Sequence, residues 1–148
     1  MSRRRLILVG SAALAVFATT VGSTWASPAI RATMPAKLVG AWGKTISTAT
    51  WQKHGVYYES PGHWGIRISA GGVTGLLAPP GTGTVAFATM HATVSGGAVA
   101  FGPVSDGVCA HGGTYRWSAT DHSLSFALVK DDCTPRAVLL TAGSFARA

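Results

Sequence analysis

From residue 62 onward, apolar and polar side chains alternate in short runs, and glycine or proline separates most runs from the next. Ile66 and Ile68 lead into Ala70-Gly71-Gly72 and then Val73 to Leu77, while Val85 to Val94 leads into Ser95-Gly96-Gly97 and then Ala98 to Phe101. A period of two around a glycine-rich turn predicts a β-hairpin. Pro79-Pro80-Gly81 separates these two hairpins, and Gly102-Pro103 ends the second. A third is expected where Tyr115 and Trp117 alternate with Thr114, Arg116 and Ser118 and, beyond Thr120-Asp121-His122, Leu124, Phe126 and Leu128 alternate with Ser123, Ser125 and Ala127. Outside the N-terminal stretch no run keeps a helical period for long, a short turn around Ser47 to Lys53 excepted. The expected fold is therefore all-β: a single antiparallel up-and-down barrel of about eight strands, because closure is the complete way to hide sheet edges.

The same pattern assigns faces. Along the second hairpin Ala86, Ala88, Met90, Ala92 and Val94 share one side, and Phe87, Thr89, His91 and Thr93 share the other. With the small face inward, the interior is either closely approached by the opposite wall or left with space for one ligand. Met90, Tyr115, Trp117 and Phe126 are the side chains expected to line that space; the alternative is that they fill it. Placing Trp117 and Phe126 on one face requires a register in which odd-numbered positions oppose even-numbered ones. Cys109 and Cys133, both odd, cannot oppose each other in that register, so they are expected just beyond the ladder, in 105–113 and 130–135.

The N-terminus changes the picture of where the chain works. Arg3, Arg4 and Arg5 precede an uncharged apolar stretch from Leu6 to about Val21, and Thr24-Trp25-Ala26 places small residues before a cleavage point. These are the parts of a bacterial export signal spanning 1–26, and the stretch is short of the roughly 20 residues a membrane span needs. Its start suits both the general secretory route and the twin-arginine route. The mature protein is expected to be secreted or extracytoplasmic, without a membrane span and monomeric, with a flexible arm over 27–36 and a barrel domain over 37–148. Removing the first 26 of 148 residues leaves 122, one domain, and lowers the formal charge from +7 to +4. The nine remaining cations are scattered singly, without the stripe that nucleic-acid binding requires. In an exported chain, two cysteines read as a disulfide, Cys109 to Cys133; free thiols are the alternative, and a metal site lacks neighbouring ligands.

Lys37-Leu38-Val39-Gly40-Ala41-Trp42-Gly43, followed by a meander and then by the cysteine-flanked hairpin and "AVLLTAGSF", resembles the lipocalin-like (calycin-type) barrels, particularly small exported bacterial ones. The resemblance spans nearly the whole mature chain. It implies that Gly40 and Trp42 form the Gly-x-Trp opening the first strand, and that Arg136 is the late arginine stacked on Trp42. The other signature loops of lipocalins are absent, so their ligands are not implied. The chain also resembles bacterial metalloprotease inhibitors, disulfide-bearing barrels that act through an N-terminal segment.

Catalytic chemistry finds little support. Asp131-Asp132 reads as turn chemistry, with calcium the lesser reading. His54, His63, His91, His111 and His122 are dispersed, and no serine has a recognisable base and acid. The expected function is non-enzymatic and cofactor-free: a barrel binding a small apolar or amphipathic ligand, or alternatively a protein-interaction barrel such as a secreted protease inhibitor using the arm.

Overall fold

Eight strands close into one antiparallel barrel in simple sequence order, first strand beside last. They are β1 (Gly40–Ile46), β2 (Gly62–Ile68), β3 (Val73–Leu77), β4 (Ala86–Ser95), β5 (Ala98–Phe101), β6 (Gly113–Ala119), β7 (Ser123–Lys130) and β8 (Phe145–Arg147), with helix α1 (Thr48–Lys53) after β1 and helix α2 (Thr134–Thr141) before β8. This structure, a computed structural model, describes residues 33–77 and 86–148. The export signal, residues 27–32 of the arm, the Pro79-Pro80-Gly81 break and Val85 lie outside the described residues, as do the side chains of Ala86 and Phe87.

The three hairpins form where the alternation places them. Ile68 pairs with Thr74, Ser95 with Ala98, and Trp117 with Phe126, the odd-to-even register required to put both aromatics on one face. Ala88, Met90 and Ala92 are buried while Thr89, His91 and Thr93 are exposed. Leu128 shares the phase of Leu124 and Phe126 yet is exposed, close to a register shift between Thr114 and Tyr115. Cys109 and Cys133 lie outside the ladder and are bonded, with their Cα atoms 5.4 Å apart, an ordinary disulfide span. On the loop-entropy argument the bond stabilises the fold by about 3.5 kcal/mol.

Two elements depart from the strand reading. Ser47 caps α1 by accepting from Thr50 N at 3.2 Å, as the short turn anticipates. The stretch Ala137-Val138-Leu139-Leu140, where no helical period is expected, is the body of α2. Pro135 in its first turn presets a helical φ, and Val138, Leu139 and Leu140 bury against the core, which outweighs their local preference. The last strand is thereby reduced to three residues.

The topology makes the two barrel ends unlike. One end carries the tight turns 69–72, 96–97 and 120–122; the other carries α1 and the loop after it, the 102–112 loop and α2. At the tight-turn end Leu38 N donates to Pro35 O at 2.9 Å, and Met34 is buried. Of the described residues 33–36, Met34 is buried against the domain while Thr33 and Ala36 are exposed. Between the ends the core is continuous and includes Trp42, Ile66, Met90, Phe101, Tyr115 and Phe126.

Candidate functional site

The interior holds the four expected liners as packing. Met90, Tyr115 and Phe126 are buried, and Trp117 is half-buried against the core. Phe101, Tyr115, Phe126 and Phe145 meet edge to face, with centroids of 5.9 Å for Phe101–Tyr115, 5.7 Å for Phe101–Phe126 and 6.1 Å for Phe126–Phe145. None of the four expected liners borders a described cavity. Ala88, Met90 and Ala92 of β4 belong to the same buried cluster as these aromatics.

The tight-turn end is closed by the Gly-x-Trp motif. Trp42 is fully buried, and its indole Nε1–H donates to Leu38 O at 2.9 Å. The guanidinium above its ring, 4.2 Å from the centroid, belongs to Arg147 and not to Arg136, which corrects the expected assignment. β1 pairs with β8 so that Trp42 and Arg147 are direct partners, and Arg147 also donates to Asp121 O at 2.8 Å. Gly40 has φ +140, where an L side chain is strained, and an added Cβ would come within 2.6 Å of Arg147 Nη1. The glycine of the motif therefore clears room for the arginine.

Arg136 closes the opposite end. Its Nε and Nη2 grip both Asp131 oxygens at 2.7 Å, while Nη1 donates to Gly102 O and Nη2 to His111 O, each at 2.8 Å. Tyr115 Oη–H donates to the same carboxylate, and Cys133 N donates to it at 2.8 Å. Burial by itself raises the Asp131 carboxyl, but the hydrogen bonds from Arg136, Tyr115 and Cys133 outweigh it and hold its pKa below the ordinary value. Gly113 belongs to this unit, since any Cβ there would overlap the Asp131 carboxylate. Asp131 does make the turn bond expected of it, to Cys133 N, and it is also the counterion of a buried arginine.

Lys44 is the second buried cation. Its ammonium sits 4.0 Å above the Phe145 ring and donates to Gly143 O at 3.1 Å and Leu140 O at 3.4 Å, holding the end of α2 to β1. Burial lowers its pKa to about 7.

At the end carrying the long connections lies a cavity of about 40 Å³. Trp51, Trp64, Leu76, Val104 and Leu139 form its apolar part; Glu59, Asp106, Val108 and Arg136 complete it. Trp51 and Trp64 meet edge to face at 5.5 Å, and Trp64 Nε1–H donates to Ser60 O at 2.9 Å. Trp51 is 1% exposed and its Nε1–H has no acceptor among the described residues. Tyr57 and Tyr58, which precede Glu59 in the chain, are 76% and 68% exposed, and Val108 in the cavity lining is 55% exposed. Burial, and then the neighbouring Asp106, raise the Glu59 pKa. No local pattern in the sequence marks this site; α1 and the 102–112 loop bring its parts together from positions far apart. Two wider grooves, of about 370 Å³ beside Arg116 and Val129 and about 420 Å³ beside Met34 and His91, lie on the outer wall and at the tight-turn end.

Among the described residues no three of His, Cys, Asp or Glu are placed to share a metal ion, and no helix is long and apolar enough to cross a membrane. Compared with known proteins, the chain matches no family model, no curated protein and no solved structure.

Proposed function

We propose that the protein is an exported, non-enzymatic interaction barrel that engages a polypeptide partner at the end bearing α1, α2 and the disulfide. The export signal, the disulfide and the lipocalin-like barrel support an extracytoplasmic setting. One observation carries the reading: at this end an apolar cavity of about 40 Å³ lies between Trp51, Trp64 and Leu139, next to exposed Val108. Ligand-enclosing pockets are on the order of 300 Å³ or more, so this one suits a single anchoring side chain and not an enclosed small molecule. Exposed Tyr57 and Tyr58, which precede Glu59 in the chain, and exposed Val108 in the cavity lining have the aromatic character of an interface core. The carrier reading would need space beside the aromatics that meet edge to face in the interior. The inhibitor reading acts through an arm of which only 33–36 is described, and there Met34 is buried while Thr33 and Ala36 are exposed.

A photo-crosslinking residue placed at Tyr58, and for comparison at Val73 near the tight-turn end, tests the proposal in the producing cells. Crosslinked protein adducts from position 58 and none from position 73 are expected. Native mass spectrometry of the exported protein supplies the opposing outcome: a retained small molecule, with no adduct from position 58, overturns the reading.

A further inference from the structure

Two of the five acidic residues of the whole chain border one small apolar cavity in a protein that is otherwise basic. Glu59 is half-buried and makes no hydrogen bond or ion pair with a described residue; Asp106 spends one oxygen on Val108 N at 3.0 Å, and neither is within ion-pair distance of a described cation. The one cation bordering the cavity, Arg136, is committed to Asp131 and two carbonyls. Burial strips hydration from the half-buried Glu59 and the exposed Asp106 repels it, which is why the Glu59 carboxyl titrates above its ordinary value. A bound cation relieves both penalties.

A second, independent feature points the same way. The Nε1–H of Trp51, in the wall of this cavity and 1% exposed, lacks an acceptor among the described residues. Buried N–H groups are almost always paired, and a polypeptide backbone offers carbonyl acceptors where a hydrocarbon offers none. The surroundings therefore combine an apolar pocket of side-chain size, an unpaired donor and unneutralised negative charge at the rim.

From this combination, and resting on the interaction site proposed above, we infer that the partner segment is basic and apolar: an aliphatic side chain seated between Trp51, Trp64 and Leu139, flanked by lysine or arginine directed at Glu59 and Asp106. Charge at a rim of this kind acts mainly on selection and on the rate of encounter. The anchor supplies the grip.

Three capped tripeptides separate the two layers of the inference: acetyl-Lys-Leu-Lys-amide, acetyl-Gln-Leu-Gln-amide and acetyl-Glu-Leu-Glu-amide, titrated into the disulfide-bonded protein and followed by the indole N–H resonances. The lysine peptide is expected to bind about tenfold tighter than the glutamine peptide, the scale of one favourable charge contact at a partly exposed site. The glutamate peptide is expected to bind most weakly. Glu59→Gln/Asp106→Asn should equalise the lysine and glutamine peptides. Equal binding of all three to the wild-type protein overturns the charge inference and leaves the pocket standing. No response of the indole resonances to any of them overturns the site itself.

Discussion

The two ends of the barrel each use an arginine, and the contrast shows what burial does to the same side chain. Arg147 lies exposed across the Trp42 ring, held by backbone carbonyls, in a place cleared by Gly40. Arg136 is 2% exposed and forked onto Asp131. The first covers a completed surface. The second is a structural joint between β6, α2, the 102–112 loop and the disulfide, and without its counterion it becomes a buried, unpaired charge. The tight-turn end is thus sealed by packing with a cation laid on top, whereas the other end is held by charge and a covalent bond beside a cavity.

The sharpest way to break this contrast is to treat the two arginines alike. Asp131→Ala should cost about 3 to 5 kcal/mol, because it strands Arg136 in the interior, and the urea midpoint reports it. Asp131→Leu combined with Arg136→Met should recover most of that loss; a double variant as unstable as the single one would show that the ion pair is not the cause.

Reduction of the Cys109–Cys133 bond comes next, at about 3.5 kcal/mol. Hydrogen exchange should quicken in the 102–112 loop and α2 and change little in the turns at 69–72 and 120–122. Uniform quickening would mean that the ends are not energetically separate.

At the tight-turn end, Gly40→Ala should cost about 1 to 2 kcal/mol, from strain at positive φ and from displacement of Arg147. Arg147→Met should cost only about 0.5 to 1 kcal/mol, the scale of an exposed cation over an aromatic ring. Thermal unfolding of both and of their combination checks whether the glycine serves the arginine, since the two losses should then be less than additive.

The last test is a slope in pH. Lys44 titrates near 7 when folded against an ordinary 10.5, so between those values the unfolded chain binds a proton that the folded chain does not. Stability should therefore rise from pH 7 toward pH 10.5 by at most about 1.4 kcal/mol per pH unit, and Lys44→Met should flatten the rise. Asp131 has the same sense in an acid window, its contribution being present at neutral pH and lost as pH falls through its depressed pKa.

What the sequence makes legible here follows the range of the forces involved. Alternation is local, so the three hairpins, the inward face of β4 and the Trp117 to Phe126 register can be read directly. The disulfide is legible because export and cysteine number together leave it few rivals. Helix α2 is not legible: Ala137 to Leu140 has strand-like composition, and only burial of Val138, Leu139 and Leu140 together with Pro135 decides it. The arginine on Trp42 fails for a related reason, since proximity to the cysteines favours Arg136, whereas pairing of the first strand with the last selects Arg147. The cavity depends on contacts between distant segments, Trp51 with Trp64 and the 102–112 loop with α2, and no local pattern announces it.

The shortness of β8 bears on how the cylinder would come apart. Its three residues meet each neighbour through only two registered pairs, Trp42 with Arg147 and Gly43 with Ala146 on one side, Ser123 with Ala146 and Leu124 with Phe145 on the other. It is the narrowest stave, and the ring is completed through contacts such as Arg147 with Val39, 108 residues apart in sequence. Contacts of that span form late in folding, so β1 and β7 wait as unpaired edges until the last strand arrives. Lifting β8 recreates those edges at low cost, and a β8 from a second molecule fits the gap as well as the original. Concentrated protein held near its unfolding midpoint should therefore accumulate strand-exchanged dimers that carry an intact disulfide within each chain.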